Sequence, residues 1–182
     1  MENCVKAILY CYPMLERISE GYLQHIKNKA TMSHDGRTPT VALAEYLARE
    51  ICEKEKVQVL KALMDKVLAR LTLEERLLLE LRYFGKIDRV RRLFAAKKAG
   101  LADDYMRDVP IWSERTYFRK QKAALKKVEK RLEANGLDKD VFLKEYAELD
   151  GIAPVYQYVS LGKDVGIEKK ERAFLDFLNE IR

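Results

Sequence analysis

The chain has little that would break or cross-link a helix. Its 182 residues include 8 glycines, 4 prolines and 3 cysteines, which excludes collagen-like, low-complexity and disulfide-dense architectures. Cys4, Cys11 and Cys52 form no C-x-x-C pair and leave an odd count, so neither a disulfide framework nor a zinc site is expected. Cys4 and Cys11 stand seven residues apart on one helical face, where thiols act as small apolar groups in a core. Histidine is scarcer still. His25 and His34 lie in different segments, with no HExxH motif, glycine-rich phosphate loop or nucleophile beside a recognisable base. Neither an enzyme nor a cofactor is expected. The carboxylate pairs, Glu74 with Glu75 and Asp103 with Asp104, read as helix capping and solvation. No apolar run approaches the roughly 18 residues of a membrane span. The opening MENCVKAILYCYP has no basic n-region and no small-residue cleavage site. A cytoplasmic protein without membrane contact is the expectation.

What the chain does have is helix formers. Hydrophobic residues make up 48% and charged residues 35%, enough of each for an all-α protein with a real core. Val5, Ile8, Leu9, Tyr12, Leu15, Ile18, Tyr22, Leu23 and Ile26 recur at helical spacing over Asn3 to Lys29, with a kink or break due at Pro13. Tyr10, Tyr12, Tyr22 and Tyr46 are read as core tyrosines with their hydroxyls at its edge. ATMSHDGRTPT marks a connection, with Thr40 as a candidate cap. From Val41 a long helix follows to Leu71, burying Val41, Ala44, Leu47, Ile51, Leu60, Leu63, Met64 and Val67, with a polar middle at ICEKEKVQ. Thr72 and Glu75 stand at the T-x-x-E spacing of a capping box, so a new helix begins at about Leu73. It buries Leu77, Leu78, Leu81 and Phe84 and stops at Gly85. Lys86 to Ala99 is a shorter helix with Arg89, Arg91, Arg92, Lys97 and Lys98 outward; Gly100 to Ile111 is a loop holding about one turn. Ser113 caps a helix to about Ala134, which Asn135 and Gly136 end. Asp138 caps another, to about Leu149. GIAPVYQYVSLGKDVG is expected to be irregular, and Ile167 to Ile181 to form a last helix with Phe174, Phe177, Leu178 and Ile181 inward.

The charge is concentrated. WSERTYFRKQKAALKKVEKRL, Trp112 to Leu132, holds eight cations and two anions, a net +6 that equals the net charge of the whole chain. Lys86 to Ala99 adds six cations against one anion. Phe118, Leu125, Val128 and Leu132 are spaced as a buried seam, and Arg115, Arg119, Lys122 and Lys126 as a separate cationic row. Such a row suits a polyanion, since DNA carries about one charge per 1.7 Å of axis. By pattern alone, a solvated helix face explains it equally well.

The context adds to this. LTLEERLLLELRYFGK, Leu71 to Lys86, followed by WSERTYFRKQKAALKKV, resembles the helix-turn-helix of sigma-factor region 4 and the phage and Gram-positive regulators of the ArpU and RinA type. There a helix of the form LT-x-x-ER-x-LLxLRY precedes a recognition helix that begins S-x-R-T-x-x-R. The family has a short small-residue helix of the xEIAxxLG kind before the recognition helix. Asp104 to Val109 stands in its place here, after an insertion at Lys86 to Ala99. The resemblance covers about a third of the chain. It implies a helix-turn-helix module at 71–135, flanked by helical regions at 1–70 and 136–182, and a sequence-specific transcriptional regulator. In it Leu77, Leu81 and Tyr83 support the module, and Ser113, Glu114, Arg115, Thr116, Arg119 and Lys120 begin the recognition helix, with Lys122 and Lys126 on the DNA backbone. Double-stranded DNA is then the expected partner, with the 1–70 region meeting a second copy or RNA polymerase. A small-terminase-type packaging adaptor, or a helical module whose basic face meets an acidic protein, are the alternatives.

Overall fold

In a computed structural model, which describes residues 1–32, 40–102 and 104–162 together with 172, 174–177 and 179, every regular element is helical. Helices α1 (Glu2–Cys11) and α2 (Leu15–Met32) are separated by a single 3-10 turn, Tyr12–Met14. Pro13 causes the break: it has no amide proton to give to the helix ladder. His34 lies outside the described residues. Helix α3 (Thr40–Ala69) is continuous through ICEKEKVQ, because its residues are good helix formers even where they are polar. At 30 residues it is roughly 45 Å long.

The capping box at α4 (Leu73–Arg82) forms as the spacing predicts: the Glu75 amide donates to Thr72 Oγ1 at 3.3 Å, and the Thr72 amide to Glu75 Oε2 at 2.9 Å. Gly85 follows with φ +65°, a conformation in which a Cβ is strained. Then come α5 (Ile87–Lys98) and the single turn α6 (Asp104–Arg107). Helix α7 (Glu114–Ala134) is capped by Ser113 and ends at Asn135 and Gly136. Helix α8 (Lys139–Glu145) is capped by Asp138, whose side chain accepts from the Val141 amide at 2.9 Å. Within the stretch expected to be irregular, Ala153–Ser160 instead folds as α9, and residues 163–166 lie outside the described residues. Pro154 sits in its first turn, where an amide proton has no intrahelical acceptor, so proline is compatible with the helix.

Two hydrophobic cores hold these helices together. The larger is built from Val5, Ile8 and Leu9 of α1, Leu15 and Tyr22 of α2, Val57, Leu60 and Met64 of α3, and the buried residues of α8 and α9. Cys4 and Cys11 lie in it, as expected of apolar thiols, and burial pushes the Cys11 thiol up to about 12. The smaller core joins Leu77, Leu78 and Leu81 of α4 to Ile87, Val90 and Phe94 of α5, Met106, Trp112, Tyr117 and Phe174. Phe174 and Leu175 are buried there and Phe177 packs on its edge; Leu178 and Ile181 lie outside the described residues. Helix α4 serves both cores, since Leu79, with Tyr83 just past the end of the helix, belongs to the larger one.

The first half of α3 departs from its expected packing. Val41 is 70% exposed, and Ala44 and Ile51 are exposed as well, while Leu47 is half-buried. The long helix packs on α2 and α7, and its buried apolar residues, Val57, Leu60, Met64, Val67 and Leu68, all lie in its second half. A period of 3.6 marks an apolar face but supplies no neighbour to cover it. Where α3 packs on α2, Glu50 is buried, with His25 Nδ1 3.5 Å from its Oε2. Among the described residues no helix is long and apolar enough to cross a membrane.

Candidate nucleic-acid interface

Helix α7 is placed by packing along its length and by ion pairs on one flank. Tyr117 anchors its front in the smaller core, and Ala124, Leu125, Val128 and Leu132 anchor its rear in the larger. On the flank facing α4, Trp112 Nε1 donates to Glu74 Oε1 at 2.7 Å and Lys120 Nζ lies 2.6 Å from the same oxygen. One turn-pair further on, Lys127 Nζ reaches both oxygens of Glu75, at 2.8 and 2.9 Å. Glu75 thus caps α4 and clamps α7 with one carboxylate. Partial burial acts to raise its pKa, but the Lys127 hydrogen bond and the Thr72 amide outweigh that and leave it below the usual carboxylate range.

The opposite flank meets the start of α1. The terminal ammonium of Met1 is 4.0 Å from Glu129. Glu2 is held below the usual carboxylate range by the hydrogen bond and charge of Lys6, with a smaller contribution from the charge of Lys122. Between the two flanks a cationic ridge faces solvent. Arg115, Arg119, Lys122 and Lys126 are all exposed on it, and none forms an ion pair with a described residue. At about 100° per residue these four span roughly 60° of the helix circumference.

The expected residues therefore separate into three groups. Arg115, Arg119, Lys122 and Lys126 come together on the ridge. Ser113 and Thr116 are occupied at the helix start: Ser113 Oγ accepts from the Thr116 amide at 3.3 Å and donates to Thr116 Oγ1 at 2.9 Å. Glu114 is exposed there, with Arg172 4.0 Å away. Lys120 is turned to α4, where its ammonium belongs to Glu74.

The seam also differs from its expected course. Phe118 is 43% exposed, and the adjacent Tyr117 takes the buried place, with Trp112 and Phe118 rings against it. Residues spaced by seven drift about 20° per heptad on a helix of 3.6 residues per turn. Two heptads therefore separate Phe118 from Leu132 by about 40°, enough to carry it out of the contact.

Helix α5 contributes less free charge than its sequence suggests. Glu80, buried on α4, draws in Arg89 at 2.8 Å and Lys86 at 3.5 Å. Lys97 Nζ donates to the Met106 carbonyl at 2.7 Å, tying α5 to α6, and the Arg91 guanidinium lies 4.7 Å from the Phe177 ring centre. Periodicity assigns Arg89, Arg91 and Lys97 to the outside because it sorts positions by face, whereas long side chains reach around the helix to partners on other elements.

The class this fold defines is all-α, built on two cores that share α4 and α7. Compared with protein-family models, with curated proteins and with solved structures, the chain has no match to any of them.

Proposed function

We propose that the protein is a sequence-specific DNA-binding transcriptional regulator of bacterial or phage origin, with a sigma region 4-like helix-turn-helix whose recognition helix is α7. One observation carries this reading: the ridge of Arg115, Arg119, Lys122 and Lys126 lies exposed on the side of α7 turned away from both cores, and no described carboxylate pairs with it. A helix with side chains is about 10–12 Å across, which suits a major groove about 12 Å wide. Arg115 and Arg119, nearest the helix start, reach guanine edges or phosphates. Thr116 lies beside them for a thymine methyl or a phosphate, and Lys122 and Lys126 follow the backbone. Lys120 supports the helix from within through Glu74. The exposed apolar positions Val41, Ala44 and Ile51 on α3 are the surface we assign to a second copy of the chain, which pairs two half-sites.

Selection of bound duplexes from a random pool, with a salt titration, tests the reading. A consensus is expected, with affinity falling by orders of magnitude between about 50 and 200 mM salt. Arg115→Ala with Arg119→Ala should weaken binding and relax the consensus while helicity stays constant. Unchanged DNA affinity in that folded double variant would refute the assignment.

A further inference from the structure

Phe118 is out of place for a phenylalanine in this protein. Of the six in the chain, Phe94, Phe142 and Phe174 are buried and Phe84 and Phe177 half-buried, whereas Phe118 presents 43% of its surface to solvent. The Tyr117 ring meets it edge-on, 5.2 Å between ring centres. Exposing a phenyl ring forgoes on the order of 1 kcal/mol or more of burial.

Its neighbours are cationic. Arg115, Phe118 and Lys122 follow one row of α7 at offsets of three and four, and Arg119 is the next residue in sequence. All three cations are exposed. An apolar protein groove would have to desolvate these charges to cover the ring, at a cost no single phenyl contact repays. A polyanion that presents apolar groups between its charges suits both features. The major groove of DNA does so at one place on each A·T pair, the 5-methyl group of thymine, which projects among the base edges and is flanked by phosphates.

We propose that Phe118 is a specificity-determining residue that packs its ring on a thymine 5-methyl group while Arg115 and Lys122 hold the duplex on either side. This rests on the DNA-binding reading of α7. It goes beyond that reading by giving Phe118, which that reading leaves without a role, an apolar contact of its own on a base. Phe118 is the fifth residue of the helix, counting from Glu114, and so lies in the first turn and a half. A helix inserted by its N-terminal end brings that portion to the base edges.

The test uses the full chain and a duplex obtained by selection. Each thymine of the bound site is replaced in turn by deoxyuridine, which removes the methyl group and leaves every hydrogen-bonding group unchanged. The wild-type protein should lose about fourfold in affinity at one position per half-site, the equivalent of one methyl group transferred out of water. Phe118→Ala should bind the thymine and deoxyuridine duplexes equally and keep the wild-type salt dependence, since no charge has changed. Because the ring is exposed, the variant should fold normally, which circular dichroism checks, and Phe118→Leu should keep part of the discrimination. Steep, salt-dependent DNA binding with no thymine preference, or a preference that survives in Phe118→Ala, overturns the assignment of Phe118 and leaves the DNA reading standing. If the wild type shows no salt-dependent DNA binding at all, both fail together.

Discussion

Lys127 Nζ lies 2.8 Å from Glu75 Oε1, so the residue that completes the cap of α4 also holds α7 across the helix crossing. The two neighbouring carboxylates at the start of α4 divide the task, Glu74 taking Trp112 and Lys120, and Glu75 taking Thr72 and Lys127.

This clamp titrates in acid. Glu75 has its pKa lowered by folding from an ordinary 4.5, so its contribution is complete above that value and is lost as pH falls through the lower, folded value. Lys127→Met should therefore flatten the decline of stability below about pH 4.5, followed by urea unfolding across pH. At neutral pH the same variant should cost about 0.5 to 1 kcal/mol, a figure limited by solvent screening of a partly exposed pair. Glu75→Ala should cost about 0.5 to 1 kcal/mol more, because the bond from the Thr72 amide to its carboxylate goes as well, while the residue-75 amide still donates to Thr72 Oγ1.

The cations of α7 should sort by their position on the helix. Lys126→Ala is expected to reduce the slope of log affinity against log salt by about 0.9, the release of one phosphate's counterion. Lys120→Ala should leave that slope nearly unchanged and lower thermal stability instead, since its charge is already paired with Glu74. Equal slopes for the two variants would contradict the separation of ridge from clamp.

Tyr117 and Phe118 offer a direct comparison of neighbours. Tyr117→Ala empties a fully buried site in the smaller core and should cost about 3 to 5 kcal/mol. Phe118→Ala removes a ring that is largely outside it and should stay within about 1 kcal/mol of wild type. The single tryptophan, Trp112, packs near Tyr117 and gives a fluorescence signal for both unfolding curves.

Glycine positions should differ according to what surrounds them. Gly136 has φ +86° with open space around it, and Gly136→Ala should cost about 1 kcal/mol for the left-handed conformation alone. At Gly151, with φ +82°, a Cβ would also stand 3.0 Å from Ile18 Cδ1, so Gly151→Ala should cost clearly more. Adding Ile18→Val, which removes that atom, should recover part of the difference in a thermal melt.

Features decided within a few residues were legible in the sequence. The caps at Thr72, Ser113 and Asp138, the break at Pro13 and the stop at Gly136 all depend on local hydrogen bonds and backbone freedom, and all stand where the spacing places them. Features decided by a distant neighbour were not. Val41 and Ile51 read as core because nothing local reveals that the buried apolar residues of α3 begin only at Val57. Lys120 and Arg89 read as free charge because their carboxylates, Glu74 and Glu80, lie on another helix. For the ridge, spacing correctly grouped Arg115, Arg119, Lys122 and Lys126 on one exposed face, and it missed the turn of Phe118 onto that face because heptad spacing hides the drift.

Helix α7, roughly 32 Å long at 21 residues, is buried in one core at its front and in the other at its rear. Neither core can melt without stripping half of that helix of its packing, and a helix half stripped is short enough to fray. The molecule should therefore behave as one cooperative unit: amide protons in α1 and α5, which touch different cores, should exchange through the same global opening, with a common free energy and a common response to denaturant.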